Sequence, residues 1–93
     1  MVYLNIRHTV TDYDTWQSGF NAHRGVRRAA GATGKRQIFR DVENPNTVTV
    51  ILEWDNVENA AKFLADPAVK EAMQNAGVVG TPIVNALQSR VKP

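Results

Sequence analysis

The chain has 93 residues, 43% of them hydrophobic, no cysteine and a formal charge of +2. Such a length makes a single domain over residues 1–93 with an adequate but not generous core, which favours association. The missing cysteines exclude disulfides, thiolate zinc sites and cysteine nucleophiles. No apolar run reaches the roughly 20 residues that cross a bilayer, and Met1-Val2-Tyr3-Leu4-Asn5 lacks the basic start and long apolar core of a signal peptide, so a cytoplasmic protein without membrane contact is expected. The small net charge argues against a nucleic-acid partner, although its distribution is uneven. Residues 1–40 carry seven Lys or Arg against two Asp, and the remainder carries four against seven acids. Solvated faces account for such asymmetry; complementary halves would also help two copies dock.

Alternation with period two places Val2, Leu4, Ile6 and His8 on one face of a first strand, Val2 to Thr9, and Tyr3, Asn5, Arg7 and Thr9 on the other. Thr11 is positioned to cap a helix whose first turn holds Asp12 and Asp14. Along that helix Tyr13, Trp16, Phe20, His23 and Arg27 recur at spacings of three and four and share one side, until Gly31 ends it. A second strand, Lys35 to Asp41, and a third, Thr47 to Trp54, flank the turn Glu43-Asn44-Pro45-Asn46. Val48, Val50, Leu52 and Trp54 form the apolar side of the third strand. Asp55-Asn56-Val57-Glu58 has capping-box spacing for a second helical region through Ala60, Ala61 and Leu64, and Asp66-Pro67 restarts it because proline suits a first helical position. Val69, Ala72, Met73 and Ala76 line this segment up to Gly77. A loop through Pro82 leads to a last strand, Ile83 to Val91, in which Ile83, Leu87 and Val91 share a face with Asn85 and Ser89, so its inward side is weakly marked.

The order β-α-β-β-α-β is that of a ferredoxin-like α+β sandwich. Right-handed crossovers give an antiparallel four-stranded sheet of order 4-1-3-2 with helices on one face, and leave the other face to meet solvent, a ligand or a second subunit. Tyr13 and Trp16 then sit near His8 at one end. At 1.5 Å per residue His23 lies about 15 Å down the helix, too far from His8 to share a metal.

The run His8-x-Val10-x-Asp12-Tyr13-x-x-Trp16-x-x-x-Phe20-x-x-His23-x-x-x-Arg27, followed by Asn44-Pro45-Asn46 before a strand ending Glu53-Trp54, resembles small proteins of the dimeric α/β-barrel group. That group includes antibiotic-biosynthesis-monooxygenase-like and cyclase-like domains. The resemblance covers almost the whole chain and implies a homodimer closed through its sheet faces, with helices outside and any ligand between sheet and helices. Activities in the group include oxygenation of aromatic polyketides without metal or flavin, haem breakdown, and isomerisation or degradation of small aromatic compounds. Haem-degrading members resemble this chain in a first-strand asparagine, here Asn5, and a tryptophan on the sheet, for which Trp54 is nearest. They also need a histidine on the second helical region, and none stands between Asn56 and Gly77. The cofactor-free members hold an oxidisable phenol with Asn, Trp, Tyr and Arg, types supplied here by Asn5, Trp54, Tyr13 and Arg27. The resemblance thus implies neither cofactor nor metal.

Each candidate has two readings. His23 is either a core histidine with one ring nitrogen bonded to a carbonyl or a general base, since imidazoles exchange protons near neutral pH. Arg27 either orients an enolate or carboxylate by paired N–H groups or covers the helix end and pairs with Glu53 or Asp55. His8 either lines the far end of a cavity with Tyr13 and Trp16 or bonds the helix cap. Trp16, Phe20 and Trp54 serve as core or as cavity walls. The expected function is therefore a cofactor-independent monooxygenase or isomerase/cyclase acting on a small aromatic or polyketide-like compound. In that function His23 is the base, Arg27 or Asn5 steadies negative charge, and His8, Tyr13, Trp16, Phe20 and Trp54 bind substrate. The alternative is a non-catalytic dimeric small-molecule-binding or structural module.

Other classes fit less well. No Gly-x-Ser-x-Gly or comparable serine setting supports a hydrolase triad. Gly31-Ala32-Thr33-Gly34-Lys35 leads into a strand and lacks phosphate-loop spacing. The third strand, Thr47-Val48-Thr49-Val50-Ile51-Leu52, has no aromatics for base stacking, which argues against an RNA-recognition module.

Overall fold

The structure, a computed structural model, describes residues 1–88. The elements run β1 (Val2–Val10), α1 (Tyr13–Ala22), α2 (Arg24–Ala30), β2 (Ala32–Arg40), β3 (Thr47–Trp54), α3 (Val57–Ala65), α4 (Pro67–Asn75) and β4 (Val78–Gln88). The strands form one sheet of order β2-β3-β1-β4 with antiparallel neighbours, and the helices cover one face. This is the expected ferredoxin-like topology. The inner face is built from aligned rows, with Ile38, Val50, Ile6 and Val84 in one and Leu52, Leu4 and Ala86 in the next. Leu4, Ile6, Val10, Val48, Val50, Leu52 and Trp54 are buried, together with Trp16 and Ala60 from the helices. Burying a large apolar side chain contributes roughly 1.5–3 kcal/mol, so this face supplies most of the driving force.

Local chemistry departs from the sequence reading at four places. The cap of α1 is Asp12, whose carboxylate accepts from the Thr15 backbone N–H at 2.9 Å and the Thr15 hydroxyl at 2.8 Å, and not Thr11. Asn56 caps α3 in the same way, accepting from Asn59 N at 2.8 Å. The second strand begins at Ala32, three residues early, because a bulge between Ala32 and Arg36 absorbs Thr33, Gly34 and Lys35; Gly34 sits there at φ 99°, in the left-handed region that favours glycine. The last strand begins at Val78 instead of Ile83, with a register shift opposite Arg7 to Thr9. Its inward residues are Val78 and Val84, so Ile83, Asn85 and Leu87 face away from the helices. The expected remainder of that strand, Ser89 to Val91, lies outside the described residues.

The expected long first helix is two helices joined at His23. In a regular helix the His23 N–H would bond Gly19 O. Instead His23 Nδ1 approaches Gly19 O at 2.9 Å and the backbone N–H turns to Phe20 O at 3.3 Å. Phe20 O also accepts from Arg27 Nη1 at 2.7 Å. Two side chains thus occupy carbonyls of the last turn, and such side-chain-to-backbone bonds bend helices.

Candidate functional site

A cavity of about 200 Å³ lies between the inner sheet face and the helices. Its floor is Ile6, His8, Val50 and Leu52. The wall from α1 and α2 carries Trp16, Gly19, Phe20, Val26 and Arg27 with His23 between them, and the opposite wall carries Phe63, Ala68, Val69, Ala72, Met73 and Ala76, with Asp66 at its exposed rim, where its carboxylate caps α4. The volume falls below the roughly 300–1,000 Å³ of drug-sized sites, so a small ring system is the matching occupant.

Five of the expected site residues meet here: His8, Trp16, Phe20, His23 and Arg27. Trp16 stacks on Phe20 at 5.0 Å between centroids and 26° between planes, and His8 lies 5.4 Å from Trp16. His23, at the break between α1 and α2, lines the cavity. Because Gly19 O can only accept, Nδ1 is the donor of this bond, which in the neutral ring assigns the lone pair to Nε2. His23 therefore has the carbonyl partner of a core histidine and also lines the cavity.

Arg27 and His8 are anomalous for so apolar a site. Arg27 is 5% exposed and its guanidinium lies 3.7 Å over the Phe20 ring. Nη1 is satisfied by Phe20 O, whereas Nη2 is buried with no partner. It does not pair with Glu53, which instead accepts from Thr33 at 2.8 Å and Tyr3 at 3.0 Å, contacts that hold its carboxyl below the usual range. Nor does Asp55 reach Arg27; that carboxylate accepts from Asn59 Nδ2 at 3.1 Å. Burial first, then the nearby charges of Arg36 and Arg24, lowers the Arg27 pKa to about 10. Burial likewise pushes the His8 imidazole down, and neither of its ring nitrogens has a partner. Unpaired buried polar atoms each cost about 1–3 kcal/mol, and a ligand bearing oxygen would remove that cost at both places.

The other three expected residues stand elsewhere. Asn5 shares a row with Gln37, Ile51 and Asn85 on the outer sheet face, away from the cavity. Strand alternation places it there: His8 and Asn5 are an odd number of residues apart and point to opposite faces. Tyr13 backs Trp16 at 5.7 Å and is covered by the Arg40 guanidinium at 3.9 Å. Trp54 is fully buried 5.0 Å from Phe63 and forms core behind the wall. Phe63 itself escaped the sequence reading, although it stands three residues after Ala60 on the stripe that continues to Leu64. Among the described residues no group of three His, Cys, Asp or Glu could hold a metal ion, and no helix is long and apolar enough to cross a membrane.

No protein-family model and no curated protein matches the chain. Solved structures do. A Bordetella bronchiseptica protein carrying the antibiotic biosynthesis monooxygenase name superposes with a TM-score of 0.77 at 18% identity, over 97% of both chains. SnoaB of Streptomyces nogalater, a cofactor-independent oxygenase, gives 0.71 at 20% identity, over 98% of this chain and 94% of that one. Rv0793 of Mycobacterium tuberculosis gives 0.67 at 10% identity, over 98% and 96%. The chain therefore has the fold of the antibiotic biosynthesis monooxygenases, as the resemblance in its sequence implied.

Proposed function

We propose that this chain is a single domain that works as a homodimer and oxygenates or isomerises a small hydroxyaromatic compound without a cofactor. The observation that carries the reading is the pair of unpartnered polar groups, Arg27 Nη2 and the His8 ring, in a largely apolar cavity that His23 also lines and whose one carboxylate, Asp66, stands at the exposed rim. His23 Nε2 takes the phenolic proton, and Arg27 stabilises the resulting oxyanion where water is excluded. Trp16 and Phe20 hold the ring flat. In the oxygenase reaction the anion reduces O2: one oxygen atom enters the ring carbon as a carbonyl, the other leaves as water, and the substrate supplies all the electrons. The fold shared with a cofactor-independent oxygenase supports this chemistry. For the dimer, support comes from the outer sheet face, which presents Phe39, Ile83 and Leu87, each about half exposed or more.

The test is oxygen uptake with 2-naphthol, whose balanced product is the naphthoquinone plus water. His23→Asn keeps a donor for Gly19 O but removes the base, so turnover should fall on the order of 10²–10⁴-fold with the ligand still bound. Equal turnover in the variant removes His23 from the mechanism. Binding without turnover in the parent protein would favour the non-catalytic binding module.

A further inference from the structure

Beside the cavity, between α2 and the bulge of β2, lies a notch of about 10 Å³ walled by Arg24, Arg27, Arg28, Lys35 and Arg36, with Ala32, Gly34 and Leu52. The fold concentrates these cations there for stated reasons. Arg24, Arg27 and Arg28 follow one another along a single short helix, and Arg36 pairs with Leu52 across β2 and β3, so its side chain leaves the sheet on the cavity side. Arg28 is drawn in by Thr33 O, which it reaches at 2.7 Å, and its guanidinium occupies the space a Cβ on Gly34 would fill, at 2.5 Å. Among the described residues the only ion pair is Arg7–Asp41, at the other side of the sheet, so none of the five has a carboxylate in contact. Lys35 alone has an acid near enough to feel, Glu53.

Five cations in one place, none with a carboxylate in contact, repel one another, an arrangement that a bound anion relieves. Arg27 joins the two spaces, since it lines both the notch and the aromatic cavity and is itself nine-tenths buried with Nη2 unpartnered. We propose that the notch binds an anionic substituent, a carboxylate, sulfonate or phosphate, of the same ligand whose aromatic body fills the cavity. The occupant is a small molecule and not a polyanion, because the notch has room for about one oxygen atom of the substituent and shares Arg27 and Leu52 with the cavity. This inference rests on the reading of the cavity as an aromatic site and adds the charge of its ligand.

The experiment is calorimetric titration of 2-naphthol and 6-hydroxy-2-naphthoate at pH 7 and low salt, into the parent protein and into the double variant Arg24→Gln/Arg36→Gln. Both positions are exposed, and circular dichroism checks that the variant folds. The carboxylate is expected to bind at least about tenfold more tightly than the naphthol in the parent protein, with that preference shrinking at 0.5 M NaCl and vanishing in the variant. Equal affinities in the parent protein overturn the anion notch and leave the cavity reading standing. A preference that survives in the variant also overturns the notch. Failure of both compounds to bind overturns the notch and the cavity reading together.

Discussion

At the residue scale the cavity is held together by groups that lack partners. His8 keeps a neutral ring because burial opposes its charge, and that has a signed consequence for stability. Its folded pKa lies below its unfolded one, so the unfolded chain takes up the proton first and stability falls as pH drops below about 6.5 toward the folded value. Thermal melts at pH 7 and pH 5 should therefore show a larger drop for the parent protein than for His8→Leu. Equal drops would mean that His8 is charged in the folded state. Asp12, Asp41 and Glu53, whose pKa values are all lowered by hydrogen bonds, titrate below that window and do not blur the comparison. The types and side of His8, Trp16, Phe20, His23 and Arg27 were legible from spacing alone. The face of Asn5 was legible too, since the alternation sets it opposite His8, and the role given to it came from its residue type in the family resemblance; what was not legible was the partner of Arg27, which is a carbonyl and an aromatic face instead of a carboxylate.

At the scale of elements the break between α1 and α2 decides where His23 stands. No proline marks it in the sequence, and the flanking Gly19 and Gly25 lie inside the two helices, not at the break itself. It arises from competition between side chains and backbone N–H groups for the carbonyls of Gly19 and Phe20, a tertiary outcome that periodicity cannot register. The same short stretch fixes the approach of α1 to α4. A Cβ on Gly19 would come within 2.9 Å of the Ala76 Cβ, so the two helices meet there almost backbone to side chain. Alanine would gain up to about 1 kcal/mol of helix propensity in open solvent, but here overpacking costs typically 1–3 kcal/mol. Gly19→Ala should accordingly lower stability in denaturant melts, and Gly19→Ala combined with Ala76→Gly should recover part of the loss. Independent, additive effects of the two substitutions would show that the helices do not touch at this point. The strand boundaries that were misjudged, at Ala32 and Val78, share a cause: glycines read as loop signals, Gly34 and Gly80, sit at irregularities within strands whose pairing continues on either side.

At the scale of the molecule the sheet has two unlike faces. The inner face was legible on β1 and β3, where Leu4, Ile6, Val48, Val50, Leu52 and Trp54 are buried as the alternation required, but not on β4, where Val84 and not Ile83 or Leu87 faces the helices. The outer face was legible only as an uncovered surface. It mixes Phe39, Ile83 and Leu87 with a bidentate Arg7–Asp41 pair at 2.6 and 2.9 Å, which is exposed and contributes little to stability by itself. Phe39 and Ile83 stand in one row with Thr49 and Arg7, so a charge placed in that row would oppose a like charge on a second copy. The proposed dimer should scatter light with twice the chain mass at tens of micromolar, and Ile83→Lys should halve it while leaving the circular dichroism spectrum intact. A parent protein of single-chain mass would contradict the dimer.

The same asymmetry frames the most direct test of the site. Arg27→Met keeps the apolar stem and removes the buried charge, which burial and the nearby charges of Arg36 and Arg24 together disfavour by on the order of 3 kcal/mol given a pKa of about 10. Titration of 2-naphthol into the parent protein and this variant measures whether the unpaired guanidinium nitrogen exists to receive a ligand oxygen. The account predicts that the variant folds at least as stably and binds the naphthol at least about tenfold more weakly. An affinity unchanged by the substitution would contradict it.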